Sequence, residues 1–386
     1  MRAAVRTVLF GGERPFQISD IFGNGAYAGF DFTDLERTAT YSGQSLMYNA
    51  STMGLPITAS GNTVGLFLSK EKSAALGPEL VTNGGFNADT DWTKAAGWSI
   101  AGGVATSLTT AGNISASSPP DLSVGEVLRA GFDITRRASG TIRFNAVNGN
   151  ASAQVSAVAT YAYGTRTTSA TDQIRLQTIG TPDLDIDNVT VKRILGNHGF
   201  QTTSGSRPAY TESGALRYLN FDGTDDSLLT TLLPSSEMTL AVCWRPPSSP
   251  TSKYVIGGGD STGGRRVYTG VGDGTNSVIV GGWGTQASTT IKGTTVVGGA
   301  DIVSLFRANA SIAELWLNGS REYQGATGTS PSGSTSPLAI GGWNNAAAMS
   351  NWVAAFAYRA VAVQRFIPDS MLLPLMRALG SGIVSF

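Results

Sequence analysis

Asp301-Ile-Val-Ser-Leu-Phe-Arg-Ala-Asn-Ala-Ser-Ile-Ala-Glu-Leu-Trp-Leu-Asn-Gly-Ser-Arg-Glu322 is the stretch whose reading decides the fold. Residues 302–306 and 312–317 alternate large apolar side chains with smaller or polar ones, and residues 338–340 and 352–358 do the same further on. That is the period-two pattern of half-buried strands. Asn318-Gly319 supplies the positive backbone angles of a tight turn, so residues 312–322 read as a hairpin.

The totals agree. Glycine at 49 residues and charge at 14% point to many short strands joined by turns rather than to helices. At 386 residues the chain has room for two or three domains, each with its own core. Lys plus Arg equals Asp plus Glu at 27 each with no long run of either sign, which argues against nucleic-acid binding through a phosphate-neutralising surface. The one cysteine, Cys243, excludes an internal disulfide. In residues 238–244, Met238, Leu240, Val242 and Trp244 share one strand face and Cys243 lies on the other, the pattern of an inert buried thiol. Residues 1–10 carry Arg2 and Arg6 without an apolar run of seven, so no secretory signal is expected there, and no transmembrane span is expected anywhere.

The opening stretch, with Asn220-Phe-Asp-Gly-Thr-Asp-Asp226 before it and Ile340-Gly-Gly-Trp343 after it, resembles the C-terminal half of a concanavalin-A-like (laminin-G-like) lectin sandwich. Tyr27-Ala-Gly-Phe-Asp-Phe-Thr-Asp-Leu35, Pro56-Ile-Thr58 and Val64-Gly-Leu-Phe-Leu-Ser-Lys70 resemble the opening segment of phage tail and adhesin proteins. In those proteins this passage runs directly into a segment that here comes only at Gly196-Asn-His-Gly-Phe-Gln201 and Ser206-Arg-Pro-Ala-Tyr210. The separation predicts one sandwich interrupted by another. The interrupting segment opens with Glu79-Leu-Val-Thr-Asn-Gly-Gly-Phe86, continues through Trp92 and Trp98, and closes with Asp185-Ile-Asp-Asn-Val-Thr-Val191. It resembles the jelly-roll carbohydrate-binding modules of phage virion proteins.

The predicted fold is therefore all-β: a concanavalin-A-like β-sandwich with an inserted jelly-roll β-sandwich and a short C-terminal helix. The expected boundaries are an N-terminal arm at 1–25, the lectin sandwich at 26–76 and 194–366, the insert at 77–193, and a helix or tail at 367–386. First and last strands of a jelly roll lie side by side, so such a unit enters a host loop without distorting it. In the insert, Ile142, Phe144, Ala146, Ile174 and Leu176 should face inward, and Arg143, Gln173, Arg175 and Gln177 outward. At the C-terminus Asp369 or Ser370 can cap a helix, Met371, Leu372, Leu375, Met376 and Leu379 form its apolar stripe, and Gly380 can end it.

Catalytic chemistry finds little support in these residues. His198 is the only histidine and sits in a turn motif, which favours a structural role over a triad base. No Glu-x-Asp or Glu-x-Glu pair occurs; Glu314 has the strand context but apolar same-face neighbours, and reads as an isolated polar residue. The glycines of residues 270–274 lack the strand, helix and Lys-Ser/Thr of a phosphate loop and read as a β-turn.

The runs Asp183-x-Asp-x-Asp187 and Asp222-Gly-Thr-Asp-Asp226 gather oxygen ligands of the kind Ca²⁺ prefers. Resemblance to the module family implies a structural calcium between the opening turn and the last strand. Asn87 stands where the family has Glu, and Asp187 is retained. No other cofactor is expected.

Sugar recognition needs an aromatic face flanked by hydrogen-bonding groups. Trp244, Trp316 and Trp98 are expected in cores, while Trp92, Tyr161, Tyr163, Trp283, Trp343 and Trp352 are the candidate carbohydrate-binding residues. The resemblance implies a non-enzymatic virion protein: a fibre, spike, decoration or tail-tip component, assembled in the bacterial cytoplasm and released on lysis. Its implied partners are other virion proteins, further copies of itself and host surface polysaccharide, with neither nucleic acid nor membrane insertion. The alternatives are a purely architectural virion protein and a polysaccharide depolymerase.

Overall fold

The computed structural model describes residues 21, 29–31, 47–51, 54–69, 76–117, 121–145, 151–169, 173–249, 251–260, 265–285, 290–345 and 348–385. Apart from Ile21, the expected N-terminal arm lies outside them, as do Ala146 and most of residues 27–35.

The protein is all-β among the described residues, with one short helix at its C-terminal end, as its periodicity predicts. Among the described residues an eight-stranded and an eleven-stranded sheet are built from residues 29–67 and 199–363, and a further eight-stranded sheet from residues 76–194. Ile302–Ala308, Ile312–Leu317 and Ser320–Ala326 run antiparallel at one edge of the first sheet. The turn of the hairpin is Asn318-Gly319, with φ of 46° and 83°. Asn318 also secures it, accepting the Val303 N–H at 2.8 Å on Oδ1.

Alternation puts Met238, Leu240, Val242 and Trp244 of the first sheet against Val255, Val267, Ile279 and Trp283 of the second. The opposite face of the same strand carries Ala241 and Cys243 into a second apolar layer beneath the helix Asp369–Gly380. There Leu372, Leu375, Met376 and Leu379 cover Val303, Leu305, Tyr358 and Val361. Cys243 is wholly buried and burial pushes its thiol up to about 12, which leaves it inert.

Two arginines from the sheet hold the helix by its ends. Arg359 donates to the carbonyls of Ala378, Leu379 and Ser381, acceptors that a helix terminus leaves without partners. Arg307 donates to the Ile367 carbonyl at 2.6 Å, pairs with Asp369 and binds Glu314 through Nε at 2.7 Å. These contacts correct three expectations. The cap position is Pro368 and makes no side-chain cap hydrogen bond; Asp369 turns to Arg307 instead. Glu314 is not isolated but nearly fully buried in an ion pair, and it also accepts from the Trp316 indole at 3.0 Å. Trp316 is consequently half-buried on the helix side of the sheet rather than in the core between sheets.

The 76–194 sheet is organised by two long strands, Val127–Phe144 and Arg175–Ile194, of 18 and 20 residues. Register shifts after Ile179 and Asp187 bend the pair so that it serves both layers of a sandwich. Ile142, Phe144, Ile174 and Leu176 face that core with Phe132, Leu184 and Ile186, while Arg143 and Gln177 pair outside it at 3.0 Å.

The two sandwiches meet at a seam that is zipped on both sides. Leu66–Phe67 pairs with Gly199–Phe200 in the host, and Leu76–Glu79 pairs with the end of Arg175–Ile194 in the insert. Glu79 reinforces the second ladder by accepting the Val191 N–H at 2.7 Å. Gly54 and Gly164 exchange backbone hydrogen bonds at 2.8 and 3.1 Å across the seam. Tyr48, Leu66, Leu68 and Phe200 then pack from the host onto Val127 and Ile194 of the insert.

A Cβ at Gly164 would lie 2.6 Å from the Tyr48 ring. Gly164→Ala is therefore expected to cost about 1–3 kcal/mol, read as a lower denaturant midpoint, as overpacking does. Glu314→Ala leaves Arg307 buried beside a lost partner and is expected to cost roughly 3–5 kcal/mol by the same measurement.

Candidate functional site

Two recesses on the outer face of the eleven-stranded sheet share Phe200 in their walls. The strand pattern explains why an aromatic stands there. Phe67 and Leu228 point into the core between sheets, so their strand neighbours Leu66 and Leu229, and Phe200 paired with them, point outward.

The first recess is a cleft of about 200 Å³ in the seam, lined by Glu126, Val127, Arg166 and Arg193 from the insert and by Gly196, His198, Phe200 and Thr231 from the host. Arg166 lies over the Phe200 ring at 4.0 Å, a cation–π contact joining the two sandwiches. Its Nε is buried without a hydrogen-bond partner. Burial lowers its pKa. Arg193, in the same cleft, is by contrast engaged by Glu126 at 3.0 Å and by the Asp121 carbonyl.

His198 forms part of the wall. Its Nδ1 accepts the Ser69 N–H at 3.0 Å, and its Nε2 lies 3.2 Å from the Ile194 carbonyl. The ring is therefore neutral with the proton on Nε2, and it ties the chain entering the insert to the chain leaving it. That is the structural turn role the motif predicts.

The second recess holds about 420 Å³ and is lined by Phe200, Leu229, Pro337 and Met349 with Thr230, Thr335, Ser336 and Asn344. Asn344 is held by its Nδ2 on the Pro337 carbonyl at 2.9 Å, and Thr335 stands exposed at the rim. This mix of apolar floor and few polar groups, at a volume inside the roughly 300–1,000 Å³ range of ligand pockets, suits a small organic ligand.

The aromatic residues singled out from sequence are dispersed. Trp283 and Tyr163 are wholly buried, in the inter-sheet core and the insert core respectively, and offer no face to a sugar. Trp92 is buried against Phe86, its indole donating to the Asn83 carbonyl at 3.0 Å. Trp343 is buried in an outward-facing cluster with Tyr254 and Tyr268 and lies beneath Arg266. For these four the expectation of an open ring is corrected: flanking Gly, Asn or Thr marks strand ends and turns, but burial is set by which face of the strand the ring occupies. Tyr161 and Trp352 are half-buried; the Tyr161 hydroxyl donates to the Ala157 carbonyl at 2.8 Å. Phe200 and Arg166 escaped sequence reasoning, although the quoted Gly-Asn-His-Gly-Phe motif contains the first.

The acidic residues divide as follows. Asp183 and Asp185 are engaged by Arg136, each at 2.6 Å. Asn87 and Asp187 do come together, 3.4 and 3.9 Å from the point a Cβ on Gly85 would occupy. Calcium takes about six to eight oxygens, and this pair offers one amide and one carboxylate, the latter already accepting the Asn188 N–H at 2.6 Å. Those two side chains do not by themselves make a calcium site. Asp222, Asp225 and Asp226 lie within 4.8 Å of one another. Asp222 there accepts three backbone N–H groups of its own turn, and burial pushes Asp226 up to about 6. Asp273 caps the turn of residues 270–276, the β-turn expected there, and Lys292 holds its carboxyl down at about 2.

No family model matches the chain, and no curated protein matches it. Among solved structures, domain 4 of AbnA, a GH43 extracellular arabinanase from Geobacillus stearothermophilus in complex with arabinotriose, aligns over 44% of this chain and 81% of its own at 13% identity, with a TM-score of 0.34.

Burial lowers His198 from 6.5 to about 4. Between those values the unfolded chain binds a proton that the folded chain excludes. The stability is thus full above about pH 6.5 and falls as pH drops towards 4, by up to roughly 3 kcal/mol. Urea midpoints measured across that window should fall more steeply for the native chain than for His198→Gln.

Proposed function

We propose that this chain is a structural protein of a bacteriophage or phage-like particle that attaches to host surface polysaccharide and catalyses no reaction. The recess beside Phe200 carries the attachment half of this reading. An apolar floor of Leu229, Met349 and the edge of the largely buried Phe200, with Thr335 at the rim and Asn344 and Ser336 in the wall, matches the two-sided chemistry of a pyranose, whose C–H face needs apolar contact and whose hydroxyls need partners. The particle half is supported by the passages of residues 27–35, 56–70 and 196–210, which resemble the opening of phage tail and adhesin proteins. A purely architectural role is the second reading, and the burial of Trp92, Tyr163, Trp283 and Trp343 favours it.

Retention on immobilised host polysaccharide separates the two. The native chain should be retained and leave the polysaccharide at its original length. Thr335→Arg, which fills the recess from an exposed position, should weaken retention at least about tenfold, equal to about 1.4 kcal/mol, without moving the melting temperature. Absence of retention by the native chain would leave the architectural role, and release of short oligosaccharides would show a depolymerase.

A further inference from the structure

A guanidinium that is partly withdrawn from water and faces a cleft without an anionic partner is costly, because burial of a charge is offset only by pairing or hydrogen bonds. Among the described residues Arg166 is in that position. It lines the seam cleft, its Nε is buried without a hydrogen-bond partner among the described residues, and its guanidinium lies over the Phe200 ring at 4.0 Å. The rest of the cleft's polar wall is already satisfied. Arg193 and Glu126 neutralise each other, both nitrogens of His198 are engaged, and Thr231 donates to Asn197 at 2.8 Å. Gly125, at φ 93°, brings bare backbone against the guanidinium: a Cβ there would sit 3.1 Å from one of its terminal nitrogens. The fork is thereby fixed in place between a ring and a backbone segment, and the positive charge remains because arginine does not deprotonate in proteins.

We propose that the seam cleft is a carboxylate subsite in which Arg166 receives the acid group of a uronic-acid residue, within a polysaccharide chain lying across Phe200 into the adjoining recess. This rests on the polysaccharide-attachment reading and narrows it to acidic glycans. A planar carboxylate accepts two parallel N–H bonds from a guanidinium, whereas a neutral sugar offers only hydroxyls. The cleft's about 200 Å³ suits one residue of a chain, and the largely buried Phe200 forms the wall that the charged and the neutral recess share.

Calorimetric titration of the full chain with trigalacturonate, its methyl ester, galacturonate and galactose tests the subsite. Trigalacturonate should bind at least tenfold more tightly than its methyl ester. Arg166→Gln should erase that difference, and Arg166→Lys, which keeps the charge but not the fork, should restore part of it. Equal binding of acid and ester, with both lost in Thr335→Arg, would overturn the subsite and leave the attachment reading standing. Arg166-dependent binding of galacturonate over galactose, without binding of host polysaccharide, would support the subsite and remove the attachment reading. Sulfate displacing galacturonate at equal concentration would overturn the assignment to a sugar acid in favour of a general anion site.

Discussion

The architecture depends on the insert's two ends lying next to each other. A chain that leaves one sandwich to build another and then returns must close a loop of well over a hundred residues, and the entropy of that closure is recovered only if the ends are pinned. Here they are pinned on both sides of the crossing, by Leu66–Phe67 against Gly199–Phe200 and by Leu76–Glu79 against Lys192 and Ile194. His198 bridges the two ladders through Ser69 and Ile194, which is why its ring is buried and neutral. Gly54 and Gly164 exchange hydrogen bonds beside Tyr48, and a side chain at Gly164 would drive into that ring.

Pinning the crossing also creates the concavity. The two sandwiches, tied by the Gly54–Gly164 bridge and the packing around Tyr48, leave a wedge between them, and the wedge is where Arg166, Phe200 and Arg193 meet. Each sandwich contributes part of the wall, so the cleft belongs to neither unit alone. Its charge pattern follows: the insert brings the cations and the host brings the aromatic ring.

Much of the fold was legible because its signals are local. Alternation at Met238–Arg245 assigns Trp244 and Cys243 to opposite faces, and they lie in separate layers. Asn318-Gly319 marks its own turn, and the stripe of Leu372, Leu375, Met376 and Leu379 marks the buried face of its own helix. The site was less legible because it is assembled from distant positions. Arg166 and Phe200 are separated by the whole length of Arg175–Ile194, and neither has a sequence neighbour that announces the other. The aromatic residues were misjudged for a related reason. Small neighbours permit exposure but do not cause it, and Trp283 is enclosed by the facing sheet, with Phe306 6.5 Å away, whatever flanks it in sequence. Arg307 likewise meets Glu314 across a hairpin and Asp369 across the sheet face, pairings that strand periodicity cannot register.

The paired ends of the insert bear on how the molecule carries mechanical load. When the host sandwich is pulled along its own strands, tension reaching Leu68 is handed across the neighbouring ladder to Gly199 and Phe200 rather than drawn through the intervening chain. The jelly roll hangs from the crossing as a side branch and stays unstretched. Load on one sandwich thus leaves the other its shape.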